Sequence, residues 1–440
     1  MSKPPLKVDA ARASSNVAPA AQAANVAADL QGTSRLVIAA VKGVTDIVED
    51  MHRNISRRAP VVGRSPSGRT SGITGLVYRA IRGVSHGVGV GLDAALGRLA
   101  RLPALAGGGP TSVGREAVRA AANGILGDYL AATSNPLAIT MTLRQHGIPL
   151  RLDHARSDEV GAAVGEGDLL ILVHGLCMND WQWRREGHDH GAVLGVQSGH
   201  RVLYLHYNSG RHVHENGADF ARLLQTLVER WPEPVSSIRI IAHSMGGLVA
   251  RSACDVAQIE RLDWLKTLRA IVFLGTPHHG APLERAGNGL NLLLGGSPYT
   301  APFVKLGEIR SAGIRDLRHG ATQSATAADG GLHLPRGVKC YAIAASKSKP
   351  PTQQGGRLTG DGLVPVASAL GQRRLNGSSG GMQEAFPAAR RAIFHEHDHF
   401  DLLSSTPVCD KISQWLFAAG GSGRVAGKTT VLQPTLRSKD

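Results

Sequence analysis

In the stretch IRIIAHSMGGLVARSA, residues 238–253, a serine stands where an isoleucine-rich extended run gives way to a helix-forming one. A hydroxyl at such a hinge can be lifted clear of its own backbone, provided small residues two positions away on either side prevent collisions between strand and helix. Ala242 and Gly246 occupy those positions, so the pattern around Ser244 is Ala-x-Ser-x-Gly. The first turn of the helix also offers unpaired amide N–H groups and the positive end of a dipole, both suited to a developing oxyanion. Met245 would supply the first such amide. The chemistry suggested is attack of Ser244 on a carbonyl. The same five residues also suit a serine that merely caps a helix, so the rest of the chain must decide.

A serine hydroxyl is a poor nucleophile near neutral pH and needs a base, itself oriented by a carboxylate. Both are expected on later loops at the carboxyl ends of the strands, acid before base. TGDGLVPVASA puts Asp361 in a turn after the extended run VKCYAIAAS, and HEHDHFDLL puts His399 just ahead of the last helical segment. His395 and His397 compete with His399 by proximity; Asp398 and Asp401 compete with Asp361, although they adjoin the base in sequence. A second oxyanion donor is expected from ILVHGLCMNDWQW, where His174-Gly175 ends a strand and the Leu176 amide can turn toward the site. Glycine at that point lets the backbone approach the reacting carbonyl. Trp181 and Trp183 follow, in a chain with five tryptophans; they could wall an acyl pocket or simply pack the loop. GHDHG offers His188, Asp189 and His190 as ligands, but with no second set at metal spacing it reads as a solvated loop. No metal and no cofactor are expected.

These residues need a scaffold. DLLILVHG, HRVLYLHYN, SIRIIAHS, LRAIVFLGTP and VKCYAIAAS are short apolar runs, and helical patterns such as ENGADFARLLQTLVERW and MGGLVARSACDVA separate several of them. That alternation predicts a mostly parallel sheet with helices on both faces. LAITMTLRQHGIPLRLD reads as a hairpin turning at His146-Gly147, and ARRAIFHEHDHF holds the last strand. Residues 281–335, rich in Gly and Pro turns, read as a small lid insertion. The catalytic domain is therefore expected over 136–418.

Ahead of it, residues 31–135 are expected to form a helical accessory region; residues 1–30, without periodicity, and the tail over 419–440, without a core pattern, are expected to be disordered. Val37, Val41, Val44, Val48 and Met51 mark one amphipathic helix; Ile73, Val77, Ile81, Val84, Val88, Leu92 and Leu96 mark another. Packing on the main domain explains these faces. Arg79 and Arg82 beside the apolar face also allow peripheral contact with a lipid surface. The first 150 residues carry 17 basic and 8 acidic side chains, so +9 of the net +15 lies outside the segment that holds the chemistry. No basic run with interleaved aromatics points to nucleic acid. No apolar run is long enough to span a membrane, and MSKPPLKVDAARASSN lacks a secretory signal. Four scattered cysteines, Cys177, Cys254, Cys340 and Cys409, suit reduced thiols. A cytoplasmic protein, soluble or peripherally attached to a membrane, is expected.

Taken in order, LVHGL, AHSMGGLVAR, FLGTPHHGAP, GDGLVPVASA and DHFDLL resemble the α/β-hydrolase superfamily, and within it bacterial triacylglycerol lipases and esterases, including the inositol deacylase-like branch. The resemblance spans roughly residues 165–415. It implies an α/β-hydrolase fold and a serine hydrolase acting on carboxylic esters or lipids, with Ser244 as nucleophile, Asp361 as orienting acid and His399 as base. In that pattern His278 and His279 of GTPHHG are not the base. Acyl transfer to an alcohol would use the same triad, and a lipid-binding scaffold that has lost turnover would keep the fold alone.

Overall fold

The structure is a computed structural model of the 440-residue chain. It describes residues 27–39, 113–152, 167–281, 311–320, 333–350, 360–374 and 382–417, with helical backbone also at positions 83, 86 and 90. Most of the two amphipathic faces read from the N-terminal sequence, most of the expected lid and the C-terminal tail lie outside these residues. Helical backbone is present from residue 27, in a helix (α1) over 27–39.

An eight-stranded sheet organises the molecule. In chain order its strands are β1 (Thr142–Gln145), β2 (Ile148–Pro149), β3 (Asp168–Val173), β4 (Arg201–His206), β5 (Ser237–His243), β6 (Leu268–Leu274), β7 (Lys339–Ser346) and β10 (Arg391–His395). Across the sheet they run β10-β7-β6-β5-β3-β4-β1-β2; neighbours are parallel except that β1 pairs antiparallel with both β4 and β2. A separate antiparallel pair joins β8 (Gln372–Arg374) to β9 (Met382–Glu384). The central strands are apolar because both faces are covered: Leu169–Val173, Ile240–Ala242 and Ile271–Leu274 expose none of their surface. The β1–β2 hairpin turns at His146 and Gly147, with φ of 53° and 82°. Two successive positive φ values are what a tight two-residue hairpin requires.

The helices are α2 (Val113–Ala132), α3 (His190–Ser198), α4 (Val213–Arg230), α5 (Met245–Glu260), α6 (Trp264–Thr267), α7 (Ala312–His319), α8 (Val366–Ala369) and α9 (Thr406–Phe417). Helices α4 and α5 pack along each other, and α3 packs against α9. Because β4 and β5 flank β3 on opposite sides, the chain direction across the sheet reverses at β3, and the loops after β3 and β5 face one another. Such a switch point forms a crevice at the strand carboxyl ends. The fold is that of an α/β-hydrolase: a mostly parallel sheet flanked by helices.

Helix α2 is bound into this body. Its Asn123 donates to Leu137 O and accepts from Ile139 N–H; its Glu116 lies 3.0 Å from Arg144 of β1, which also pairs with Asp180 at 3.0 Å. Burial alone would push the Asp180 carboxyl toward its neutral form, and the neighbouring Arg144 opposes that shift. Helix α7, inside the span read as a lid, is anchored too. Ser311 Oγ donates to Gly124 O, Asp128 accepts from Ala312 N–H, and Asp316 accepts from Val213 N–H at the start of α4. Among the described residues no helix is long and apolar enough to cross a membrane.

Candidate active site

Strand β5 delivers Ser244 and α5 begins at the next residue. Ser244 has φ 53° and ψ −125°, a conformation that costs a non-glycine residue about 1–3 kcal/mol and persists only where surroundings impose it. They do so here. Its N–H donates to Leu274 O at 2.8 Å, and its carbonyl accepts from Gly247 N–H at 3.0 Å. A Cβ at Gly246 would lie 2.5 Å from His174 O and 2.6 Å from Val173 O, so no larger residue fits where α5 crosses the end of β3. Ala242 is wedged between Val173 and Phe273 on the adjoining strands. The helix-cap alternative is not what the side chain does, because it caps no N–H of α5.

His399 and Asp361 meet. His399 Nδ1 donates to Asp361 Oδ2 at 2.7 Å, and both side chains are fully buried. The other carboxylate oxygen accepts from Leu363 N–H at 2.9 Å and Val364 N–H at 2.7 Å, which fixes the carboxylate in one orientation. The rivals are engaged elsewhere. His397 bonds to His395 O and to Ser405 Oγ, and His395 lies against Ser348 O. Asp398 and Asp401 cap each other's turn through the amides of Phe400, Asp401 and Asp398.

His399 is seated beside the elbow. A Cβ at Gly275, which follows the Leu274 carbonyl that holds Ser244, would lie 3.1 Å from the His399 ring. The ring of His243, next to the serine, is centred 4.6 Å from that of His399, and its Nε2–H donates to His399 O at 3.1 Å. His399 Nε2 is buried and has no hydrogen-bond partner, so in this structure the bond from the Ser244 hydroxyl to that nitrogen is not formed. Ser244 itself is 2% exposed. Catalytic hydrogen bonds are often loose until substrate binds.

The expected oxyanion donors adjoin residues at the serine: Leu176 follows Gly175, which packs on Ser244, and Met245 follows Ser244 itself. Met245 is the first residue of α5, so its N–H lacks an intrahelical acceptor. Leu176 N–H donates to no other group among the described residues. Its loop is held from three directions. Tyr207 OH donates to His174 O at 2.9 Å, and Cys177, at φ 59°, donates its N–H to Ser209 Oγ at 3.0 Å. A Cβ at Gly175 would come within 3.0 Å of Ser244 Cβ. From behind, α2 presses on the loop: a Cβ at Gly124 would overlap Cys177 Sγ and lie 2.8 Å from its Cα. Burial lowers the His174 imidazole to about 4, so this ring is uncharged at neutral pH.

Trp181 packs on Gly147 of the hairpin turn, with the Arg184 guanidinium 4.8 Å from its ring centre. Trp183 is fully buried, edge-on to His243 at 6.4 Å and tilted against His190 at 6.5 Å. His278 lies between Phe273 and Phe386, and burial holds it well below the usual histidine range. The four cysteines are free and buried. Among the described residues, two groups of side chains have the donor types and proximity to hold a metal ion: His188, His190 and Cys409, and His212, His214 and Asp316. From sequence the first group lacks a further ligand and reads as a solvated loop. Cys409 lies 219 residues beyond His190, and no spacing pattern joins them.

Residues 165–295 match the family described as PGAP1-like alpha/beta domain. No curated protein sequence matches the chain. Among solved structures, the mature Bacillus licheniformis lipase BlEst2 is similar at 17% identity, covering 63% of this chain and 97% of the lipase, with a TM-score of 0.38. A thermophilic esterase from Thermogutta terrifontis is similar at 16% identity, covering 57% of this chain and 90% of the esterase, with a TM-score of 0.34. The Pyrococcus furiosus esterase Pf2001 is similar at 15% identity, covering 58% of this chain and 84% of the esterase, with a TM-score of 0.34.

Proposed function

We propose that this α/β-hydrolase cleaves carboxylic esters through an acyl-enzyme formed on Ser244. The observation that carries the reading is the buried Asp361–His399 pair beside the strained serine. One imidazole nitrogen is committed to the carboxylate, and the other is left without a partner. With Nδ1–H donated to Asp361, the lone pair of His399 is on Nε2, the nitrogen able to take the serine proton.

The steps follow from those positions. Ser244 Oγ attacks the ester carbonyl while its proton passes to His399 Nε2, and the imidazolium is stabilised by the carboxylate of Asp361. The carbonyl oxygen becomes an oxyanion and accepts hydrogen bonds from the amides of Leu176 and Met245. Each such donor is worth about 3–4 kcal/mol in comparable sites, and more when water is excluded. His399 then returns the proton to the departing alkoxide, which leaves as the alcohol, and the acyl group stays on Ser244. Water repeats the sequence, giving its proton to His399 and releasing the carboxylic acid. Lipid-like esters fall within this chemistry.

A fluorophosphonate probe tests the assignment directly. The wild-type chain is expected to label stoichiometrically, and Ser244→Ala not at all, with p-nitrophenyl ester turnover falling at least ~10⁴-fold in step. Equal labelling of the two proteins would overturn it.

A further inference from the structure

We propose that His188, His190 and Cys409 form a binding site for a divalent ion of zinc's class, clipping the segment before α3 to helix α9. This reading concerns a part of the molecule outside the Ser244 site and does not depend on ester hydrolysis.

The donor atoms are already assembled. One ligand atom from each of the three side chains lies within 4.8 Å of the others. The two imidazoles face each other, with His188 Nε2 2.7 Å from His190 Nδ1. A tetrahedral ion with bonds of about 2.0–2.1 Å to nitrogen and 2.3 Å to sulfur needs ligand atoms about 3.3–3.7 Å apart. Meeting that requirement takes the two imidazole nitrogens from 2.7 Å to about 3.3 Å apart. Nitrogen and sulfur donors suit zinc or a neighbouring transition ion and disfavour calcium and magnesium, which take oxygen.

The surroundings resemble those of metal ligands. His190 Nε2 donates to Leu402 O at 2.9 Å, which fixes the ring and leaves the Nδ1 lone pair directed at His188. A backbone carbonyl on the far nitrogen is the usual support of a ligating histidine. Asp189, between the two histidines, is not free to ligate. It caps α3 through Ala192 N–H and accepts from Tyr204 OH. It holds the turn from which both imidazoles project. His190 and Cys409 are buried and His188 is half-buried, so three protein ligands close the inner side and a water can complete the sphere beside His188.

The protons balance simply. In the free site His188 Nε2–H donates to His190 Nδ1. On binding, His188 carries its proton on Nδ1 instead, freeing Nε2, and the Cys409 thiol gives one proton to solvent.

The clip joins two segments that already touch. Ser404 Oγ donates to Glu186, and the Arg185 guanidinium lies 5.3 Å from the Phe400 ring centre. Leu402 is three residues from His399. An ion on His190 and Cys409 would therefore stiffen the loop that carries the base. The second cluster differs, because its Asp316 also accepts from Val213 N–H at the start of α4.

The full chain, stripped with a chelator, should be titrated with Co²⁺ and then Zn²⁺. One equivalent of Co²⁺ is expected to give a thiolate-to-cobalt charge-transfer band, lost when Zn²⁺ displaces it, and Zn²⁺ should raise the melting temperature. Cys409→Ser should lose the band and at least tenfold in affinity, whereas His214→Ala should keep both. If Cys409→Ser does not fold, His188→Gln takes its place, with weakened binding expected. A cobalt spectrum with no thiolate band, a band that survives Cys409→Ser or His188→Gln at wild-type affinity, or one abolished by His214→Ala would each overturn the proposal.

Discussion

Asp361 does two jobs with its two oxygens: one accepts from the Leu363 and Val364 amides, the other from His399 Nδ1. Replacing it by asparagine should keep the first and spoil the second. The oxygen of the new carboxamide would stay on the two backbone amides, turning its NH₂ toward His399. The imidazole must then accept at Nδ1 and carry its proton on Nε2, the wrong tautomer for a base. Asp361→Asn is therefore expected to lower kcat about 10⁴-fold while the melting temperature moves by only a few degrees. Ester kinetics and calorimetry on the same preparation check this, and a loss below tenfold would remove Asp361 from the role. At this scale the sequence is informative, because the elbow pattern, the turn holding Asp361 and the histidine ahead of the last helix are all local signals. His243 is not legible there as a support for His399. Its Nε2–H reaches the His399 carbonyl across 156 positions of chain, and a histidine before a serine carries no mark of that contact.

The strands are legible for a related reason. Leu169–Val173 and Ile271–Leu274 are apolar along their whole length because both faces are buried, and a run of that kind is visible without coordinates. The hairpin turn shows itself in His146-Gly147, since few pairs tolerate two positive φ values. What the α2 segment packs against cannot be read, because its amphipathic face states only that it is covered. In the fold it backs the Leu176 loop, with Gly124 against Cys177 and with Asn208 Nδ2 donating to Gly127 O. Gly124→Ala is expected to cost about 1–3 kcal/mol, because the added methyl meets the backbone of Cys177 as well as its side chain. The displaced loop would carry the Leu176 amide with it. Urea unfolding should report the lost stability, and kcat should fall more than KM changes. Unaltered unfolding and kinetics would mean that α2 does not set the loop's position.

Over the whole molecule, burial has gathered neutral histidines. His174, His190, His206, His243 and His278 are all held below the usual histidine range, desolvation being the largest cause in each. A histidine that stays neutral in the folded chain and protonates when unfolded binds more protons in the unfolded state, so acid favours unfolding. Its contribution is complete above the ordinary value near 6.5 and drains away as pH falls toward the folded value, about 4 for His174 and His190. Most unfolded-state carboxylates remain ionised above about pH 5, so between pH 7.5 and pH 5 the histidines dominate the slope. One pH unit is worth about 1.4 kcal/mol for each fully titrating group, and several groups acting together should lower stability by a few kcal/mol across that window. The expected result is a steady fall of the urea midpoint from pH 7.5 to pH 5 at constant m-value, measured with chelator present so that no ion holds His190. A flat profile would show that these imidazoles are solvated, and with them the loop after β3 that carries His174 and the end of β5 that carries His243.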